Sequence, residues 1–101
     1  MDVAGFKASL SDQSPPAGLG RAAQALWWDA KGDWAKAHGC AQEQNDQEGA
    51  WVHAYLHRKE GDAGNAGYWY RRAGKPAATM PLEAEWETIA RALLKGEIAA
   101  R

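Results

Sequence analysis

Apolar residues recur three and four positions apart along most of this chain and nowhere alternate with a period of two, so the pattern predicts helices and no sheet. Leu19, Ala22, Ala23, Leu26, Trp27 and Ala30 mark the first face. Ser14-Pro15-Pro16 stands ahead of it as a start signal, because serine caps well and a first-turn proline lacks an N–H that has no helical partner anyway. Lys31 and Gly32 end it, a cation in the last turn and a residue free to turn left-handed. Asp33 then caps a second helix, Trp34 to about Glu43, with Ala37, Cys40 and Ala41 on one side. Gly39 inside that helix costs about 1 kcal/mol against alanine, which suggests a neighbouring helix passing close by. Asn45 and Glu48 form a capping box that opens a third helix, carrying Trp51, Val52, Tyr55 and Leu56 as far as Glu60. Gly61 stops it and Asp62 caps a fourth, Ala63 to Ala73, which Gly74 and Pro76 end. Thr79 and Pro81 open a fifth at about 80–99, whose stripe of Leu82, Trp86, Ile89 and Leu93 is broadened by Leu94 and Ile98. Residues 1–13 show no sustained period and read as a partly ordered arm, with Phe6 and Leu10 touching the core. Residues 14–101 read as one domain.

Sliding the chain by 29 residues lays Ala25 on Ala54, Gly32-Asp33 on Gly61-Asp62, and Ala37 on Ala66. Each Gly-Asp ends one helix and caps the next, and the small residue four beyond the aspartate lets the two helices cross closely. One such hairpin cannot bury its apolar face alone, so hairpins stack. With Ala54, Gly61, Ala66, Tyr70 and Ala73 at small, turn, small, aromatic and small positions, the chain resembles the tetratricopeptide and Sel1-like helical repeats. The likeness covers about residues 19–73; the first unit keeps Ala25, Trp28, Gly32, Ala37 and Ala41 but has Gln44 where a small residue is usual. The period is also shorter than the roughly 34 residues of those repeats. The whole resembles small bacterial proteins of this pattern, a likeness that implies no activity.

The resemblance implies an all-α fold in which antiparallel hairpins, about 19–43 and 46–73, stack as a short right-handed array with the last helix as a cap. It also implies a concave face, lined by the first helix of each pair, that takes extended peptides or partner helices. Carried over position by position, Leu26 and Asp29 line that face in the first unit and Trp51, Tyr55 and Arg58 in the second. The function this implies is a non-enzymatic interaction module for a protein, a peptide or a second copy of the chain. In that reading the fifth helix covers the outer side of the second hairpin and Arg58 stays free for an acidic group. Otherwise the fifth helix lies over Trp51 and Tyr55, and both are core.

Composition narrows the classes. Twelve basic and thirteen acidic residues among 101 leave a formal charge of −1, so no net field draws the chain to nucleic acid or an anionic membrane. Six tryptophans supply much of the core of so small a domain. Cys40 is the only cysteine, which excludes an internal disulfide and fits a cytoplasmic setting. The first residues lack the basic-then-apolar order of a secretion signal, and no apolar run approaches a bilayer span.

Candidate chemistry centres on histidine. His53 and His57 stand four apart on one helical face, the spacing at which two imidazoles bind one zinc, with His38 on the preceding helix and Glu60 as a further ligand. Ala54 stands where zinc proteases carry their glutamate, so that hydrolytic route is not indicated. The plainer reading is three core histidines hydrogen-bonded among aromatics, and the expectation is no metal, no cofactor and no catalytic residue. A small ligand-binding or enzymatic domain built on His38, His53 and His57 is the alternative function. Cys40 does not face His38, being two residues away on one helix. Tyr68-Trp69-Tyr70-Arg71-Arg72 sets rings beside arginines as base-stacking surfaces do, but a helix spreads those rings around its circumference, and core packing is the plainer account.

Overall fold

The computed structural model describes the backbone of residues 1–99 and the side chains of residues 1–95. Among them every regular element is helical: α1 (Val3–Ala8), a 3-10 turn (Ser9–Ser11), α2 (Arg21–Ala30), α3 (Trp34–Glu43), α4 (Gln47–Lys59), α5 (Ala63–Ala73) and α6 (Leu82–Ala99). α2 pairs with α3 and α4 with α5 as antiparallel hairpins, and α4 also packs on α2 and α3.

The two Gly-Asp turns are built alike. Gly32 and Gly61 sit at φ +86° and +90°, and the next N–H in each case reaches back to the last turn, Asp33 to the carbonyl of Trp28 at 3.0 Å and Asp62 to that of His57 at 2.9 Å. The same aspartates then cap the following helices, accepting from the N–H of Lys36 at 3.0 Å and of Asn65 at 3.2 Å. Each turn thus closes one helix and opens another within two residues.

Other starts and close approaches differ from expectation. Ser14 caps nothing. Gly18 turns left-handed at φ +87°, Gly20 is the N-cap, and α2 begins only at Arg21. The Oε1 of Gln44 accepts the N–H of Ala22 at 2.7 Å, so a side chain at the carboxyl end of α3 does the capping expected of Ser14. α4 is capped by Asp46, which accepts the N–H of Gly49 at 2.9 Å, rather than by Asn45, and Glu48 accepts from Gln44 instead of reaching back. The close backbone approach lies at Gly49, where a Cβ would stand 1.8 Å from the carbonyl oxygen of Gln44; a Cβ on Gly39 would meet nothing within 4 Å.

The amino-terminal arm is ordered. Asp2 caps α1 by accepting the N–H of Gly5 at 2.8 Å, and Phe6 is fully buried, stacked 5.6 Å from Trp86. Ser9 Oγ accepts the indole N–H of Trp27 at 3.0 Å, and the Lys31 ammonium donates to the carbonyls of Leu10 and Asp12 at 2.7 and 3.1 Å.

The position of α6 decides which surface is left open. It packs on α1, α2 and α4, across the first helices of both hairpins, and buries Trp86, Ile89, Ala90, Leu93 and Leu94. The indole N–H of Trp86 donates to the carbonyl of Leu26 at 3.0 Å, an anchor in the floor of the face. The side chain of Ile98 lies outside the described ones. No helix among the described residues is long and apolar enough to cross a membrane.

Candidate functional site

The face assigned to a partner is the one α6 fills. Leu26 is fully buried, and Asp29 and Tyr55 are 4 % and 3 % exposed. The phenol O–H of Tyr55 donates to Asp29 Oδ2 at 3.0 Å, and Lys59 donates to Asp29 Oδ1 at 2.8 Å. Burial and the carboxylates of Asp29, Glu85 and Glu83 push the Tyr55 phenol well above its usual range, so it stays a donor. Arg58 is not free either. Its Nη1 donates to Glu85 Oε1 at 2.8 Å, while Nη2 donates to the carbonyl of Met80. Glu85, 2 % exposed, also accepts from the Tyr70 hydroxyl. Trp51 is half-buried between the two apolar clusters, with the Lys75 ammonium 4.3 Å over its ring. The expectation that α6 lies elsewhere and leaves Arg58 open is therefore corrected: α6 brings its own carboxylate to Arg58. What remains open is a cleft of about 440 Å³ at the end of this face, where Asp29 and Tyr55 meet Leu10, Lys59, Leu82 and Trp86.

The three histidines, by contrast, converge. α4 carries His53 and His57 one turn apart with rings stacked 4.9 Å apart, and the antiparallel α3 brings His38 to meet both. Its ring lies 4.6 Å from that of His53 and 5.3 Å from that of His57, edge-on to each. One ring nitrogen from each residue falls within 4.8 Å of the other two. The Nε2 atoms of His53 and His38 share a hydrogen bond of 2.9 Å, so one of them carries its proton there.

The surroundings fix the rings in place. Trp34 stacks on His38 at 4.8 Å and is itself held by an N–H bond of 3.0 Å to the carbonyl of Leu56. Trp69 of α5 stacks on His53 at 3.9 Å. Glu60 Oε2 lies 2.7 Å from His57 Nδ1. A carboxylate only accepts, so Nδ1 carries a proton there. Glu60, expected as a further ligand, meets the cluster through His57 Nδ1, and with His57 and Asp62 it forms a second group of possible ligands within 4.8 Å of one another.

Burial, with His38 and His57 close by and Arg72 beyond, pushes the His53 imidazole down to about 4. Burial and His57 lower His38 too, against a smaller opposing pull from Glu60. Both are neutral at physiological pH, the form with a lone pair to give. Cys40 stays outside the cluster, a buried thiol whose pKa burial raises. Spacing marked the histidines and set Glu60 three residues from His57; the tryptophans bracketing them carried no sequence signal, since their stacking depends on how α3, α4 and α5 pack. No family model, no curated protein and no solved structure matches this chain.

Proposed function

We propose that the domain is a metal-binding helical module in which His38, His53 and His57 hold one divalent transition ion of the zinc class between α3 and α4. The observation that carries this is the mutual approach of three imidazole nitrogens within 4.8 Å. Imidazole is a borderline donor that suits zinc, copper and nickel more than calcium or magnesium. Metal–nitrogen bonds of about 2.0–2.1 Å set tetrahedral nitrogens roughly 3.3–3.5 Å apart. The 2.9 Å pair of His38 and His53 opens by about half an ångström as the ion replaces the proton between them. The test is calorimetric titration of chelator-treated protein with zinc chloride. One ion per chain is expected in the wild type and none in His53→Ala; absence of binding, or equal binding by the variant, refutes the reading.

A second reading keeps the interaction module. The 29-residue period and the paired hairpins support a tetratricopeptide-like, right-handed array, and the lone cysteine supports a cytoplasmic setting. Its surface is the cleft of about 440 Å³ beside Asp29 and Tyr55, with Leu82 and Trp86 as apolar wall and Lys59 at the rim. A protein or peptide segment with an apolar group for that wall fits it, since Lys59 is already paired with Asp29 at 2.8 Å, and near-neutral net charge speaks against nucleic acid. Photocrosslinking from position 82, with Tyr68 on the far side as control, checks this. Equal yields from both positions refute it.

A further inference from the structure

We propose that the cleft beside Asp29 and Tyr55 takes a basic apolar peptide segment. Its large apolar side chain lies against Leu82 and Trp86, and a neighbouring lysine or arginine meets Glu83. This rests on the interaction reading above and is independent of the metal. The charges on the wall decide the sign of the partner. Asp29, Glu83 and Glu87 line the cleft together with Lys7 and Lys59, so carboxylates outnumber ammonium groups by one. Lys59 takes Asp29 at 2.8 Å, and Lys7 takes Glu87 at 3.2 Å. Arg91 stands 3.7 Å from Glu87 as well. Glu83 is exposed and has no hydrogen bond or ion pair among the described residues. Its charge still reaches into the cleft, being one of those that raise the Tyr55 phenol.

An acidic segment would have to strip Lys7 or Lys59 from the carboxylate it already holds. A basic one takes the place left open at Glu83 and disturbs neither pair. The floor already shows this chemistry: Asp29, buried and fixed by the Tyr55 hydroxyl at 3.0 Å, accepts an ammonium from a lysine whose side chain is 40 % exposed. The apolar half of the site comes from Leu10 and Leu82, half-buried residues packed on the core and facing the cleft, with Trp86 beside them. A volume of about 440 Å³ holds one large apolar side chain with part of its neighbour. An exposed ion pair is a weak attraction, so the apolar side chain supplies most of the affinity and Glu83 the choice between charges.

The test titrates the isotope-labelled full chain with the capped tetrapeptide acetyl-Gly-Leu-Lys-Gly-amide and with its norleucine and glutamate counterparts in place of lysine. The backbone amides of Leu82 and Glu83 and the indole N–H of Trp86 are followed by NMR, with Tyr68 on the far side as control. Saturable shifts at the cleft are expected, with the lysine peptide about threefold tighter than the norleucine one, the weight of one exposed ion pair. Glu83→Gln should erase that preference while both peptides still bind. If the wild type binds the two equally, prefers the glutamate peptide, or keeps its preference in Glu83→Gln, the inference falls and the docking reading stands. If isoamylamine alone binds as tightly as the lysine peptide, the cleft is a site for a small amine and both fall. If no peptide moves these resonances, the docking reading fails and the inference with it.

Discussion

Replacing Arg58 with alanine separates a free binding arginine from one that holds the fold together. In the structure its guanidinium meets Glu85 at 2.8 Å; the side chain of Glu85 is 2 % exposed and that of Arg58 is 24 % exposed. Removing one partner of a buried pair typically costs about 3–5 kcal/mol, because the other charge is left without compensation. Water reaches this arginine, which lowers the figure to about 2–3 kcal/mol for Arg58→Ala. The Tyr70 hydroxyl still donates to the stranded carboxylate, so the loss does not reach the upper bound. In a domain of this size such a loss lowers the melting temperature by about 10 °C or more. Urea unfolding followed by tryptophan emission measures it directly. The double variant Arg58→Met with Glu85→Gln should recover most of the loss, since a neutral amide leaves no stranded charge and still accepts from the Tyr70 hydroxyl. A urea midpoint for Arg58→Ala equal to that of the wild type would refute the reasoning. It would mean that α6 does not hold Arg58, and the groove would again be open to a partner.

Three further predictions are checked by the same unfolding assay. His53 titrates at about 4 in the fold against an ordinary value of 6.5; the unfolded chain therefore binds the extra proton first, and stability is full above about 6.5 and lost as pH falls toward 4. The loss should be on the order of 2–3 kcal/mol across that window and smaller in His53→Gln, where only the lowered His38 still contributes; a flat wild-type profile refutes it. Gly39→Ala should stabilise by about 0.5–1 kcal/mol, as a helical Cβ there meets nothing within 4 Å. Gly49→Ala should destabilise by more than 1 kcal/mol, its Cβ falling 1.8 Å from the Gln44 carbonyl; the opposite order of the two would refute both.

What the sequence made legible is what a few neighbouring residues decide. Gly32-Asp33 and Gly61-Asp62 announced their turns and caps because the positive φ and the side-chain bond both lie within four residues. The i, i+4 spacing placed His53 and His57 on one face for the same reason. What stayed hidden depends on partners far along the chain. Phe6 is ordered by Trp86, eighty positions away, so no local period marked α1. Gln44 caps α2 from the end of α3, twenty-two positions away, and Ser14 looks like the better start from local residues alone. His38 meets His53 only through the register that Gln44–Asp46 sets between α3 and α4. The stripe on α6 was plain, but a stripe does not say which surface it meets.

That placement of α6 has a consequence for anything that competes with it. A segment tethered to its own groove is present there at an effective concentration in the millimolar range. A free peptide at micromolar levels therefore gains the face only if it binds about a thousandfold more tightly than α6 does, and the face stays shut in ordinary company. Cutting the chain before Leu82 removes that protection at one stroke. Leu26, Tyr55 and Leu56 would then stand bare in an apolar trough, and the shortened protein would pair with itself or precipitate.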